Sequence, residues 1–289
     1  LHRRPSGPRP DRPAQELTMG AGLGRYTPGA ILFRQVCQLL LPRRCPLCGR
    51  VLGGVAACPD CALELKIRAR WQTEGPHAPP PALGGGIVAW AAAPFWYAGG
   101  IREALLNAKY HEQPWTAVQL GCILAHQLFG AEIRVRGGVE VPMPLETPPV
   151  DCDLLVPVPS SGRGRSYNVP ALMGLPLARA LGIPMEECAL RRTRQGTAQA
   201  GLSREERLIH TAGLFRANAD YAAGRRVLLL DDVLTTGATT AACARALTAA
   251  GAESVAVVGF AASRQNRTLP AVPGVPFDLD AEPDDIEDF

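Results

Sequence analysis

The chain has 289 residues, of which 47% are hydrophobic and 20% are charged, and its formal net charge is +3. This composition is typical of a globular protein with one α/β domain and a smaller unit, and the small net charge does not by itself indicate nucleic-acid binding. No apolar run is long enough to cross a bilayer and no segment resembles a signal peptide, so we expect a cytoplasmic protein without membrane insertion. In that reducing setting, paired cysteine spacings among the nine cysteines indicate metal binding before disulfides.

The N-terminal segment, residues 1–30, is rich in Pro, Arg and Gly and has no apolar period, which predicts a disordered extension. A basic arm that binds nucleic acid is the alternative interpretation. Residues 31–41 have the apolar spacing of a short amphipathic helix. They open a predicted small unit that spans residues 31–68.

Two C-x-x-C pairs define that unit: Cys45 with Cys48, and Cys58 with Cys61. Two such pairs across a short Gly-rich hairpin have the ligand layout of a tetrahedral zinc ribbon, and Gly49 suits the left-handed turn of such a knuckle. A redox dithiol is the alternative, but it needs only one pair and usually opens a helix in a thioredoxin-like unit. The spacing therefore predicts one structural Zn²⁺, which would supply most of the folding free energy of so small a unit.

A Pro/Gly-rich linker is predicted over residues 69–86, followed by the main domain over residues 87–263. Its first elements are a strand over 87–97 and two helices over 100–111 and 115–129. The segment 132–153 contains several Pro and Gly without a clear period, and we interpret it as an irregular loop.

The second half of the main domain begins with a buried strand over 153–159 and a loop of hydrogen-bond donors that carries Arg163 and Arg165. These guanidinium groups are able to pair with phosphate oxygens, although a solvated loop is the simpler alternative. A basic loop over 191–202 then precedes a helix that opens at a capping box. Buried strands are predicted over 222–232 and 254–263, and the acidic segment 264–289 is predicted to be disordered.

The most informative stretch covers residues 227–240, where an apolar strand runs into two carboxylates, a Thr/Gly turn and a helix. A helix N-terminus offers free N–H donors and the positive end of the helix dipole, so this corner is predicted to bind an anion such as phosphate. The carboxylates of Asp231 and Asp232 would repel that anion, and we expect them instead to accept hydrogen bonds from hydroxyls beside it. A phosphate next to a diol describes a ribose 5-phosphate.

This pattern resembles the phosphoribosyl-pyrophosphate (PRPP) signature of type I phosphoribosyltransferases: an apolar strand, two acids and then T-T-G-x-T. The resemblance implies that Asp231 and Asp232 hold the ribose hydroxyls. It further implies that the 5-phosphate is held by the loop residues Thr235, Thr236, Gly237, Ala238 and Thr239.

Two further segments resemble the ComF family of competence-associated, phosphoribosyltransferase-like proteins. Residues 97–110 follow its Y-x-G-x-(I/L)-(R/K)-x-x-(I/L)-x-x-x-K-Y stretch, and residues 160–169 stand where the family has a pyrophosphate loop. Asn168 is kept in that loop, whereas Ser166, Tyr167 and Val169 replace Gly, Phe and Gln. The resemblance implies an α/β fold of the type I phosphoribosyltransferase kind, a parallel sheet flanked by helices, with a zinc ribbon ahead of it.

Two functions are compatible with this reading. The first is an enzyme that transfers the phosphoribosyl group of Mg²⁺-bound PRPP to an unknown acceptor, with Asp231, Asp232 and Arg165 as the catalytic residues and Arg163 as a phosphate ligand. The second is a non-catalytic module of DNA uptake that binds single-stranded DNA or replication proteins. Few aromatic residues lie near the arginine clusters, which argues against strong intrinsic DNA binding because base stacking is poorly supplied.

Overall fold

The computed structural model of the chain describes residues 42–53, 55–69, 83, 86–110, 113–136, 138–160, 166–193 and 213–263. The predicted N-terminal extension, the helix over 31–41, most of the linker, the capping-box helix and the acidic tail lie outside the described residues, as do Arg163 and Arg165. Among the helices that are described, none combines the length and the apolar character needed to cross a membrane.

The described elements alternate between strands and helices for most of the chain. The strands are β1 (Ala91–Ala92), β2 (Phe95–Trp96), β3 (Ile133–Arg136), β4 (Val139–Pro142), β5 (Leu154–Pro157), β6 (Leu190–Arg192), β7 (Phe215–Ala217), β8 (Arg226–Leu234) and β9 (Ser254–Ala262). The helices are α1 (Pro59–Ala69), α2 (Gly99–Tyr110), α3 (Pro114–Phe129), α4 (Val169–Leu181), α5 (Ala219–Ala222) and α6 (Ala238–Ala249), with a 3₁₀ turn at Glu187–Ala189.

The main sheet is parallel and has the strand order β1–β9–β8–β5, with β2 pairing further along β9. β8 is an inner strand: Leu228 pairs with Leu155 of β5 on one side and with Ala256 of β9 on the other. A parallel strand covered on both faces must be apolar at successive positions, which is why residues 227–230 form an uninterrupted apolar run. Its carboxyl end is the point at which the chain turns polar.

The core lies on both faces of this sheet. Leu228 and Leu230 are fully buried on the face covered by α2, α3 and α4, and Val227 and Leu229 are buried on the face covered by α6. These residues are buried alternately on the two faces because successive side chains of a strand point to opposite faces of the sheet. The prediction of a parallel sheet flanked by helices is therefore confirmed.

Helices α3 and α4 pack very closely at Gly121. A Cβ atom at this position would lie 2.2 Å from the carbonyl oxygen of Met173 and 2.6 Å from Cγ of Pro176. No side chain fits that gap without moving the helices apart, so a glycine sets their separation.

Two predicted segments differ from the observed structure. The strand expected over 87–97 is interrupted and leaves only β1 and β2. The irregular loop expected over 132–153 is wrong, because β3 and β4 form an antiparallel hairpin within it, in which Ile133 pairs with Pro142. The residues of β3 alternate between partly buried and exposed positions, and Gly138 has a φ of +75° in the turn, so the period-two signal was present but outweighed by the Pro and Gly content.

A buried ion pair joins the cysteine-bearing segment to this hairpin. The guanidinium of Arg43, which is fully buried, donates to the carboxylate of Glu140 on β4. Nε2 of Gln119 on α3 donates to Glu140 Oε1 at 2.9 Å and to the backbone oxygen of Arg44 at 3.2 Å. Because a buried charge without its partner is very costly, this network fixes how the small unit docks on the main domain.

At the opposite end of β8, Arg226 binds the start of β5. Its side chain donates to Asp153 at 2.7 Å and 3.0 Å, its backbone N–H donates to Asp153 Oδ2 at 3.0 Å, and it also forms an ion pair with Asp151. These hydrogen bonds, with partial burial opposing them, hold the pKa of Asp153 down at about 2. The two strands therefore begin in register.

We expect Asp153→Asn to lower the free energy of unfolding by about 2 kcal/mol at pH 7, because charge-assisted hydrogen bonds in a mostly buried pair are lost. The folded pKa lies below the unfolded value of 3.8, so the contribution is complete above about pH 4 and is lost as the pH falls toward 2. Urea titrations at several pH values measure this. Glu132→Gln, which breaks the exposed pair with Arg134, is the matched control and should leave the stability nearly unchanged, because solvent screens that pair. An equal effect in both variants would contradict the assignment.

Candidate functional site

The four cysteines predicted to bind metal lie together. The Sγ atoms of Cys45, Cys48, Cys58 and Cys61 are all within 4.8 Å of one another, and three of the four residues are buried. Sγ of Cys48 is 3.7 Å from Sγ of Cys58. A tetrahedral zinc ion with Zn–S bonds of about 2.3 Å separates its sulfur ligands by about 3.8 Å, so the cluster has dimensions suited to one such ion.

Each pair is held by its own backbone. The first lies in a turn closed by the Arg44–Val51 bridge, in which the N–H of Cys45 donates to Arg50 O at 2.8 Å and Gly49 has the expected left-handed φ of +73°. The second pair opens α1, since the N–H of Ala62 donates to Cys58 O at 2.7 Å. The sequence did not predict this helix.

The donor set also suits a cation chemically. Burial raises the pKa of the Cys45 and Cys61 thiols, and a bound cation would reverse that shift, since metal ligands are deprotonated. The described cysteines are all free thiols. The cluster can therefore hold Zn²⁺ as a structural ion.

The two adjacent carboxylates lie near the carboxyl end of β8, inside the strand rather than just after it. Successive side chains of a strand point to opposite faces, so Asp232 shares the face of Leu230 and Asp231 shares that of Leu229. Oδ1 of Asp232 lies 2.9 Å from Nζ of Lys109 on α2. Oδ1 of Asp231 accepts a hydrogen bond of 2.9 Å from the N–H of Asp232.

The electrostatics of the two acids differ. Burial, together with the charge of Asp232, raises the pKa of Asp231 to about 7, and Lys109 opposes this shift. On the α6 side, burial and then the charge of Asp231 raise the pKa of the Cys243 thiol. Asp231 is thus the acid whose protonation changes near neutral pH.

The turn after β8 has the form of an anion cradle. Gly237 is the N-cap of α6 and has a φ of +76°, a conformation that strains any residue with a Cβ. Thr235, Thr236 and Thr239 are exposed around it. The N–H groups in the first turn of α6 lack carbonyl acceptors within the helix, and that of Ala238 donates to Oγ1 of Thr236 at 3.4 Å.

The two other predicted phosphate ligands, Arg163 and Arg165, lie outside the described residues. Their neighbours are described: Nδ2 of Asn168 donates to Val158 O at 3.0 Å, and the hydroxyl of Tyr167 donates to Ala108 O at 2.8 Å. Sequence reasoning gave no role to Lys109. The only signal for it was its place in the K-Y end of the ComF-like stretch.

The chain is similar to proteins that are already known. A family model described as "Phosphoribosyl transferase domain" matches residues 171–273. The chain is 27% identical over 220 residues to the DNA utilization protein YhgH of Salmonella typhi, an alignment that covers 74% of this chain and 87% of that protein. The chain therefore has a phosphoribosyltransferase-like fold and carries a four-cysteine cluster ahead of it.

The resemblance to the ComF family predicted from the sequence is confirmed by the domain match, this relative and the cysteine cluster. Among solved structures, the chain is similar to a glutamine PRPP amidotransferase from B. subtilis complexed with ADP and GMP, at 24% identity and a TM-score of 0.32. It is also similar to a structure titled as the allosteric regulatory enzyme of purine biosynthesis, at 23% identity and a TM-score of 0.32. Each match covers 50% of this chain, which spans about a quarter of those chains, 26% and 25% of their length.

We expect one zinc ion per chain, bound by the four clustered cysteines. Elemental analysis of the purified protein should give about one equivalent, and the Cys45→Ser, Cys58→Ser double variant should lose it together with much of its thermal stability. Cys188→Ser, at an exposed cysteine, is the control and should keep the metal. Full zinc content in the double variant would disprove the assignment.

A second prediction concerns Asp231. Because its folded pKa of about 7 lies above the unfolded value of 3.8, the native state binds the extra proton, and this contribution to stability is lost as the pH rises from about 4 through 7. Asp231→Asn cannot ionise, so we expect it to be about 1–3 kcal/mol more stable than wild type at pH 8 and equal to it near pH 4. Denaturant titration measures this, with the exposed Asp220→Asn as control. A variant less stable than wild type at pH 8 would contradict the burial argument.

Proposed function

We propose that the chain binds PRPP, or another ribose 5-phosphate compound, with Mg²⁺ at the carboxyl end of β8, and that it transfers the phosphoribosyl group to an acceptor. One observation carries this proposal: a carboxylate pair and a Thr/Gly cradle at a helix N-terminus lie side by side at the same strand end. Phosphate alone would bind better without the carboxylates, since they repel it. The presence of the two carboxylates is explained if the site normally binds hydroxyl groups and Mg²⁺ together with the phosphate.

Each part of the site has a proposed role. The N–H groups and hydroxyls of Thr235, Thr236, Gly237, Ala238 and Thr239 would fix the 5-phosphate. Asp231 and Asp232 would accept hydrogen bonds from the 2- and 3-hydroxyls and thereby orient the sugar ring. Arg163 and Arg165 would pair with the pyrophosphate oxygens.

In the reaction, the bond between ribose C1 and the pyrophosphate oxygen breaks, a bond forms between C1 and the acceptor, and the acceptor gives up a proton. Positive charge develops on the ring as the leaving group departs, and the nearby carboxylates stabilise it. Mg²⁺, when bound with PRPP, would neutralise charge on the leaving pyrophosphate. The zinc ion would have a structural role only.

The same proposal covers the organisation of the chain. It contains a metal-binding unit over 31–68 and a phosphoribosyltransferase-like domain over 87–263, joined by the linker over 69–86. A thiolate metal site needs reduced cysteines, which fits a cytoplasmic protein.

The relative named as a DNA utilization protein favours a second candidate, a module of DNA uptake that binds single-stranded DNA or replication proteins. The exposed Arg191, Arg192 and Arg216 of the antiparallel β6–β7 pair would supply positive charge for such a contact. However, the guanidinium of Arg192 already lies over the ring of Phe215, 5.6 Å from its centroid. That ring is therefore occupied, and base stacking lacks a platform there.

We predict that the protein binds PRPP in the presence of Mg²⁺, with a dissociation constant in the micromolar range. Calorimetry on the Asp231→Asn, Asp232→Asn double variant should show a loss of about tenfold or more, since both diol acceptors become weaker. Asp220→Asn, an exposed acid away from the strand end, should bind as wild type does. Equal affinity in the double variant would disprove the ribose assignment.

We further predict slow release of pyrophosphate from PRPP that depends on Asp231, Asp232 and Arg165. An enzyme-coupled pyrophosphate assay with purine, pyrimidine and amine acceptors measures it. PRPP binding without pyrophosphate above background would favour the non-catalytic module. Salt-dependent binding of oligonucleotides would then separate a DNA-binding role from simple PRPP sensing.

A further inference from the structure

We propose that Lys109 is a further residue of the ribose 5-phosphate site, where its ammonium group holds the Asp232 carboxylate in place and offsets its charge, so that this carboxylate can face an anionic sugar phosphate. This inference rests on the proposed function and extends it to a residue on a different element. Its basis is the ion pair in which Lys109 Nζ lies 2.9 Å from Asp232 Oδ1.

The burial of this pair is informative. The side chain of Lys109 is 17% exposed and that of Asp232 is 14% exposed, so both charges have lost most of their hydration. The removal of two charges from water generally costs as much as their attraction returns, and a pair of apolar residues would join α2 to β8 equally well. A buried ion pair at the ligand end of the sheet is therefore better explained by a requirement for charge at Asp232.

The requirement is electrostatic. In a partly desolvated site, a carboxylate and a phosphate group a few ångströms apart repel each other strongly. Asp231 avoids part of this repulsion, because burial raises its pKa to about 7. Asp232 instead has a cation beside it, which offsets its charge while leaving an oxygen available to a ribose hydroxyl.

The position of Lys109 is itself fixed by the structure. It lies in the last turn of α2, and the carbonyl of the preceding residue, Ala108, accepts a 2.8 Å hydrogen bond from the hydroxyl of Tyr167. A phenylalanine, which the ComF pattern has at this position, could not make that bond. Tyr167 therefore ties the lysine-bearing end of α2 to the segment that precedes α4, and this contact gives the substitution a structural purpose.

This arrangement specifies a class of ligand. A site in which a lysine compensates one carboxylate suits a sugar that carries both a free 2,3-diol and a phosphate. Uncharged ribosides would gain less from that lysine, because they carry no phosphate whose repulsion it offsets. We therefore expect Lys109 to contribute to selection for the phosphorylated sugar.

The test uses the full zinc-containing protein and ribose 5-phosphate without added Mg²⁺, with calorimetry as the measurement. Lys109→Met should weaken binding about tenfold or more, and Lys109→Arg should restore it to within about threefold of wild type. Lys109→Gln replaces the Met variant if that one fails to fold. Arg102→Met, which removes an exposed cation from the same helix, should leave the affinity unchanged.

A double-mutant cycle separates the proposed role from its rivals. In an Asp232→Asn background, Lys109→Met should add less than about a threefold loss, because the lysine acts through Asp232. A persistent tenfold loss there would mean direct phosphate contact and would overturn the inference. If Lys109→Met binds ribose 5-phosphate with wild-type affinity, even at a lower melting temperature, the ion pair has only a structural role. That result would also overturn the inference. If the wild-type protein itself does not bind ribose 5-phosphate, the proposed function fails first and the inference fails with it.

Discussion

Parallel pairing of β8 on both sides is the constraint on which the rest of the molecule depends. Because β5 and β9 take its hydrogen bonds on the two edges and helices cover its two faces, the residues from Val227 to Leu230 must be apolar. Beyond Arg226 at its start, the strand carries its next polar side chains, Asp231 and Asp232, near the carboxyl edge of the sheet. Ligands of open parallel sheets bind at that edge. The pairing of β8 therefore determines both the fold and the position of the candidate site.

A second constraint joins the small unit to this domain. Arg43 stands two residues before Cys45 and is fully buried against Glu140, so the cysteine-bearing segment docks through a buried ion pair. The loss of either partner would strand a buried charge, at a cost of about 3–5 kcal/mol. Gln119 shares the network from α3, the helix that packs against α4 at Gly121. The cysteine cluster therefore rests on the same helical layer that covers the parallel sheet.

Local patterns made much of this visible in the sequence. The apolar run before Asp231, the Thr/Gly turn and the helix after it, and the spacing of Cys45, Cys48, Cys58 and Cys61 are all short-range signals, and each led to the correct element. The hairpin of β3 and β4 was missed because a two-strand ribbon with Pro and Gly around it gives only a brief period-two signal. The pairing of Lys109 with Asp232 could not be predicted from the sequence, because the two residues are 123 positions apart in the chain. Only the packing of α2 against the end of β8 brings their side chains together. The same holds for Arg43 and Glu140.

A crystal structure of the protein with ribose 5-phosphate tests the central claim most directly. The account predicts that the phosphate lies within hydrogen-bonding distance of the backbone N–H groups at Gly237 and Ala238, with the 2- and 3-hydroxyls at the carboxylates of Asp231 and Asp232. A sugar phosphate bound instead along the exposed arginines of β6 and β7, with nothing at the end of β8, would contradict it.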